Sequence, residues 1–319
     1  MRNGYFGIAR CIAILIAVVA GFNMVGAIIM FAVYGASIKT ADGSMLIIIN
    51  AIAQLAVMLT VPILIVKSRR MNSQAVFRLE GMHETPLRAM VLGVAMILVT
   101  EVLGGGLDGL WIKFIQLFPP VYHALNSLQK VFDEMMGTIT TAHSLGELII
   151  LLIGVSLVPA IAEETFFRGF IQTNIERSGK RKPRPYIAIM ITSILFGAMH
   201  LSPMNLPGLA LIGAVLGWLA YRTSDLRVSM LTHAMNNGLI VLATYFFQSS
   251  KDTVDALTGS PEISISDSLS LIAISLPFFI AALYIFQKMT DPLTARNNAA
   301  IEIEMLNRPI DQLIHQDVT

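Results

Sequence analysis

The sequence is poor in charge and almost without cysteine. Only 13% of its 319 residues are Asp, Glu, Lys or Arg, while 55% are hydrophobic; an ordinary soluble domain carries about a quarter charged residues. A water-soluble core of this size could not bury so much apolar surface, so lipid must be the solvent for much of the chain. The single cysteine, Cys11, excludes an internal disulfide and a cysteine-rich metal site. It stands in the first apolar run and reads as a small buried hydrophobe. A net charge of +1 gives no reason to expect a nucleic-acid partner. There is no His-Glu-x-x-His and no Gly-x-Ser-x-Gly, and Asp108 has no partner aspartate within a span. These absences argue against a zinc metalloprotease of that type and against intramembrane serine or aspartyl proteolysis.

What the chain does have is long apolar runs. The first, from about Ile8 to Tyr34, follows Arg2 and Arg10 and is far longer than the ~7–15 residues of a signal-peptide core, so it reads as a membrane span. Measured against the ~20 residues that a helix needs to cross, seven more follow at about 45–66, 87–105, 147–172, 187–205, 207–221, 227–247 and 268–287. The third is interrupted by Gly104-Gly105-Gly106 and the sixth is short. The expected fold is therefore an all-α integral membrane protein of eight helices. It divides into helices 1–3 with a long outside loop (1–146), a central group of helices 4–7 (147–250), and a last loop, helix and tail (251–319).

The basic residues fix the orientation, because Lys and Arg accumulate on the cytoplasmic side. With the N-terminus inside, the outside segments hold only Lys39, Lys113, Lys130 and Lys251 of the 22 basic residues, and every inside segment has at least two. Both termini are thus expected inside. The outside segment 106–146, with Trp111 and Pro119-Pro120, is open to three readings: an amphipathic element in the interface, a re-entrant segment or a plain loop. Residues 249–267 read as a solvated loop, and the charged tail after Asp291 as cytoplasmic and mobile.

Charge inside a span costs about 2.5–3.5 kcal/mol per residue even on the lenient insertion scale, and so marks function. The fourth span carries Glu163, Glu164 and Arg168, the fifth His200 above Phe196, and the seventh His233 and Asn237. Four-residue spacing lets Glu164 and Arg168 pair along one helix face, whereas Glu163 is rotated about 100° away, beside Phe166, Phe167 and Phe170. Pro159 cannot donate to the Val155 carbonyl and should kink the helix one turn before the carboxylates. Counting residues from the span ends lets Glu163, His200, His233 and Asn237 converge in the cytoplasmic half of the membrane. Glu101, Asp108, His123 and His143 fall near span ends or in the outside loop and call for no catalytic role.

A carboxylate and a histidine around one water make a general-base site, and a side-chain amide with a second histidine can stabilise an oxyanion. These are the parts needed for peptide hydrolysis within a membrane. The motifs Glu-Glu-x-x-x-Arg, Phe-x-x-x-His and His-x-x-x-Asn, in that order over residues 159–238, resemble those of the CAAX prenyl protease type II and bacteriocin-processing family of intramembrane proteases. The resemblance implies an eight-helix fold and a glutamate-dependent hydrolysis in a mostly bacterial family, hence a bacterial cytoplasmic membrane. It implies that Glu163 activates water with His200, that Glu164 and Arg168 support the site, and that His233 and Asn237 form the oxyanion hole.

On this reading the partners are membrane lipid and a membrane-associated or lipidated protein or peptide substrate, and no cofactor is expected. The alternative within the same residues is zinc held by Glu163, His200 and His233, since two histidines and a carboxylate form a known catalytic set. From other classes, a transporter would use the buried Glu and His groups as a proton relay. A membrane scaffold or bacteriocin-immunity protein would keep the residues without the reaction.

Overall fold

The computed structural model describes residues 4–35, 42–140, 142–179, 182–247 and 263–306. Every regular element among them is helical: α1 (Ile8–Tyr34), α2 (Gly43–Ser68), the short α3 (Ser73–Val76), α4 (Leu87–Gln116), α5 (Pro119–Thr140), α6 (Leu145–Arg177), α7 (Pro185–Met199), α8 (Leu206–Thr223), α9 (Leu226–Phe247) and α10 (Ile265–Leu306). Six helical stretches, namely α1, α2, α4, α6, residues Pro203–Thr223 including α8, and α10, are long and apolar enough to cross a membrane. α7 is apolar but shorter. The protein is therefore an all-α integral membrane protein.

α6 runs through the centre, in contact with α2, α7, α8 and α9, while α4 packs along α8, α9 and α10. The peripheral faces expose large apolar side chains, among them Met24, Ile28 and Phe31 on α1 and Phe278 and Tyr284 on α10. In water these would be a liability, whereas in lipid they lie in their own kind of solvent.

The structure corrects three expectations. The third span does not stop at residue 105; α4 continues to Gln116, and α5 follows almost at once. Glycine costs about 1 kcal/mol in a helix interior, so the Gly run read as an end, but here it allows close packing. A Cβ at Gly104 would stand 3.1 Å from the Gly208 Cα, and one at Gly106 would stand 2.9 Å from the Ser268 carbonyl of α10. As a result Glu101 and Asp108 lie on a helix, two turns apart, and not near a span end or in a loop. Asp108 accepts a 2.7 Å hydrogen bond from the Gly208 N–H in the first turn of α8, as suits a carboxylate at a helix N-terminus.

Of the three readings for the outside segment, α5 matches the amphipathic helix. Tyr122 and Leu125 pack on Ile112, Ile115 and Met204, while Val121, Leu128, Val131 and Met135 are exposed. The third correction is at the C-terminus. The helix does not give way to a tail near Asp291 but runs on to Leu306, with Ile301 and Met305 buried. Arg222 ties it down, donating to Asp291 (2.7 Å), the Thr290 hydroxyl and the Gln287 carbonyl. Most of the expected loop 249–267, and the tail beyond Leu306, lie outside the described residues.

A cluster of ion pairs closes the Arg177 end of α6. Arg78 reaches Glu176 at 2.6 Å with both side chains buried, and Arg177 bridges Glu304 of α10 (2.9 Å) and Glu80 (3.3 Å). Burial pushes the neighbouring Tyr5 phenol up to about 12 against the opposing pull of Arg177, so Tyr5 remains a neutral partner there.

Candidate active site

Two prolines shape the site by the donors they lack. In α6, Pro159 offers no N–H to Val155, and the residues just before it, Leu152–Leu157, form a π-helical turn. The Val155 carbonyl is taken up by another helix, since Asn237 Nδ2 of α9 donates to it at 3.0 Å. In α2, Pro62 likewise lacks an N–H for the ladder. A π turn at Gln54–Leu59 precedes it, and the Thr60 hydroxyl donates to the Leu55 carbonyl at 2.8 Å. A third π segment, Thr165–Gln172, contains Arg168, whose carbonyl accepts from Arg78 Nε at 3.1 Å. Side chains inserted into a helix ladder in this way are a recognised cause of bending.

Glu164 is held from two sides. Its Oε1 accepts from Arg168 Nη1 at 2.8 Å and from His233 Nδ1 at 2.9 Å, and all three side chains are buried. Arg168 also donates from Nη2 to the Gly213 carbonyl of α8 at 3.1 Å and lies 4.3 Å over the Phe196 ring. In the neutral His233 ring, with its proton on Nδ1 facing the carboxylate, Nε2 is the acceptor. It faces Asn237 Nδ2 at 3.3 Å. The two Asn237 amide hydrogens thus have two acceptors, His233 Nε2 and the Val155 carbonyl.

Glu163 is treated differently. It is 6% exposed, and its Oε1 accepts from the amide Nε2 of Gln54 at 3.3 Å. Its Oε2 is buried without a hydrogen-bond partner, as is Gln54 Oε1. No ion pair reaches Glu163 among the described residues, so of two adjacent carboxylates one is bound to a guanidinium and the other only to a neutral amide.

His200 is half-buried at the C-terminal end of α7, with its Nδ1 2.7 Å from the Phe196 carbonyl and its ring 4.6 Å from that of Phe196. Because the carbonyl accepts, Nδ1 carries the hydrogen and the neutral ring presents Nε2 as an acceptor. The chain then turns sharply through Leu201, whose φ of 55° is a left-handed conformation unfavourable to a branched side chain. Two clamps hold the turn: Trp111 Nε1 donates to the Pro203 carbonyl at 2.9 Å, and Gln129 Oε1 of α5 accepts from the Ser202 hydroxyl and the Met204 N–H at 3.1 Å each. Phe196 is the common wall. Besides lying against the His200 ring at a tilt and under Arg168, its ring stands 5.8 Å from that of His233. His200, Arg168 and His233, the last two bound to Glu164, therefore surround one aromatic ring.

Among the described residues no group of three or more His, Cys, Asp or Glu side chains is placed to hold a metal ion. Glu163, His200 and His233, the alternative zinc set, are thus not gathered as ligands. Glu101 lies near Asn236 of α9. The residue that sequence reasoning passed over is Gln54. A search for charge within spans does not detect a neutral amide, although a glutamine in an apolar run such as 45–66 is itself a signal.

Residues 145–239 match the model of the family described as type II CAAX prenyl endopeptidase, Rce1-like. This segment, less than half of the chain, is similar to that family. The Rce1-like segment begins with α6, ends within α9, and includes Glu163, Glu164, Arg168, His200, His233 and Asn237 but not Gln54. No curated protein and no solved structure matched the chain in the two other comparisons.

Proposed function

We propose that the protein is an intramembrane endopeptidase that hydrolyses a peptide bond with a water activated by Glu163. The observation that carries this is the contrast within the Glu163–Glu164 pair. Glu164 is tied to a guanidinium and an imidazole, whereas Glu163 is hydrogen-bonded only by a neutral amide and keeps one oxygen free to receive a proton. Glu163 takes a proton from the water, and the water oxygen adds to the scissile carbonyl carbon. His200 Nε2, an acceptor in the neutral ring, then takes that proton from Glu163 and passes it to the leaving amine as the C–N bond breaks. The oxyanion is stabilised by Asn237 Nδ2, one of whose hydrogens turns to it from His233 Nε2, while Glu164 and Arg168 fix the His233 ring beside it. No step runs through a metal.

In this reading α7 and α9 join the six long apolar stretches to give eight spans, with both termini inside as the distribution of Lys and Arg implies. Glu163 then lies about 21 Å along α6 from Arg177 at 1.5 Å per residue, at the inner limit of the cytoplasmic half of a bacterial cytoplasmic membrane ~40–45 Å thick with its headgroups. Substrates are membrane-associated or lipidated proteins and peptides. The similarity of residues 145–239 to a family of endopeptidases supports the reaction class.

The test compares new protein termini in membranes of cells expressing the wild type or Glu163→Gln at equal folded amounts. Termini that depend on the wild type are expected. Identical profiles would overturn the protease reading in favour of a scaffold or immunity protein. The metal-free mechanism is checked on the purified protein: cleavage should survive exhaustive chelation, and a loss that Zn²⁺ restores would replace it.

A further inference from the structure

We infer that Gln54 is a further catalytic residue, holding the attacking water jointly with Glu163. The inference rests on the proteolytic reading above, but its residue lies on α2, outside the Rce1-like segment. Gln54 and Glu163 are separated by 109 residues in sequence, each is 6% exposed, and they meet at 3.3 Å through Gln54 Nε2 and Glu163 Oε1. That contact uses the donor of the amide and one oxygen of the carboxylate. The other half of each group, Gln54 Oε1 and Glu163 Oε2, is an acceptor buried without a partner.

Two neighbouring buried acceptors call for a ligand with donors to give. A carbonyl oxygen can satisfy neither, and a single peptide N–H can satisfy only one. A water molecule has two O–H groups, one for each acceptor, and then presents its lone pairs away from both. That is the orientation a nucleophile needs. In the step that follows, the O–H facing Glu163 gives its proton to Oε2 while the water oxygen bonds to the carbonyl carbon. The second O–H remains on Gln54 Oε1. When the C–N bond breaks, the proton held by Glu163 leaves on the amine, and the products are one carboxyl and one amine terminus.

The backbone supplies a reason for Gln54 to be in place. The π turn that begins at Gln54 adds a residue to the turn before Pro62 and so rotates the preceding face of α2 by about 100°. Single-turn π segments of this kind are frequent at functional sites.

The experiment uses the full-length protein and a peptide spanning the most abundant wild-type-dependent cut. Gln54→Met keeps the length of the side chain and removes its polar atoms; kcat should fall roughly 10²-fold, with KM little changed. Gln54→Glu supplies the second readout. While protonated, its carboxyl has a donor for Glu163 and an acceptor for water, so activity should be retained at low pH and lost as pH rises, a limb absent from the wild type. Should Gln54→Met fail to fold, the pH profile of Gln54→Glu decides alone. Wild-type kcat in Gln54→Met, a loss confined to KM, or a Gln54→Glu profile that follows the wild type would each overturn the role of Gln54 and leave the protease standing. If wild type and Glu163→Gln produce the same termini, the protease reading fails, and this inference fails with it.

Discussion

Two buried clusters of charge lie on α6, one at its Arg177 end and one near its middle, and they are built to different rules. At the end, Glu176 meets Arg78, and Arg177 meets Glu80 and Glu304. Near the middle, Glu164 meets Arg168 and His233, but Glu163 meets only the Gln54 amide. In the first cluster opposite charges join α6 to α10 and to the loop after α3, which is architecture. In the second, one carboxylate is withheld from the pairing. Burial and charge alone do not distinguish a strut from a reagent; the identity of the partner does.

The largest expected effect breaks the second cluster at the withheld group. Glu163→Gln should lower cleavage by roughly 10²–10⁴-fold with no loss of folded protein, measured as termini or peptide turnover. Breaking the first cluster should do the reverse. Arg78→Met leaves Glu176 buried without its guanidinium, at a cost of about 3–5 kcal/mol. It should be read as a lowered unfolding midpoint in detergent, with a fall in turnover per folded molecule, through the lost Nε bond to the Arg168 carbonyl, far smaller than that of Glu163→Gln. Asn237→Ala sharpens the contrast, because Asn237 serves both structure and site. Turnover should fall by roughly 10²-fold through loss of an oxyanion donor, and stability by about 1 kcal/mol through the exposed Val155 carbonyl. The smallest effect belongs to the half-exposed partner of the first cluster: Glu304→Gln should shift stability by less than about 1 kcal/mol and leave turnover unchanged.

Much of this was legible in the sequence, for a physical reason. Charge inside an apolar run is expensive enough to mark itself, so Glu163, Glu164, Arg168, His200 and His233 could be singled out, and Asn237 followed from its spacing to His233. The i, i+4 pairing of Glu164 with Arg168 and the freed Val155 carbonyl could be read because both are local. The partner that takes up that carbonyl could not be, since it comes from a helix 82 residues away. Gln54 escaped for two reasons: a neutral amide breaks no rule of insertion, and its contact spans 109 residues. The end of the third span was misplaced because Gly104 and Gly106 signal a helix end by propensity, whereas their use here depends on Gly208 and Ser268 of other helices. The C-terminal extension of α10 was missed because its charges suggested solvent, while Arg222 and Arg177 provide partners for them.

The bond between Asn237 and Val155 bears on any attempt to engineer this protein for endurance. Replacing Pro159 with alanine would return the missing N–H to the ladder of α6 and offer the Val155 carbonyl a partner within its own helix. By ordinary criteria of thermostabilisation that is an improvement. It would also release the Asn237 side chain from the contact that now orients it beside His233. Selection for heat resistance alone would therefore favour a sturdier rod with a looser site, and the irregularity in α6 would persist only where activity is selected as well.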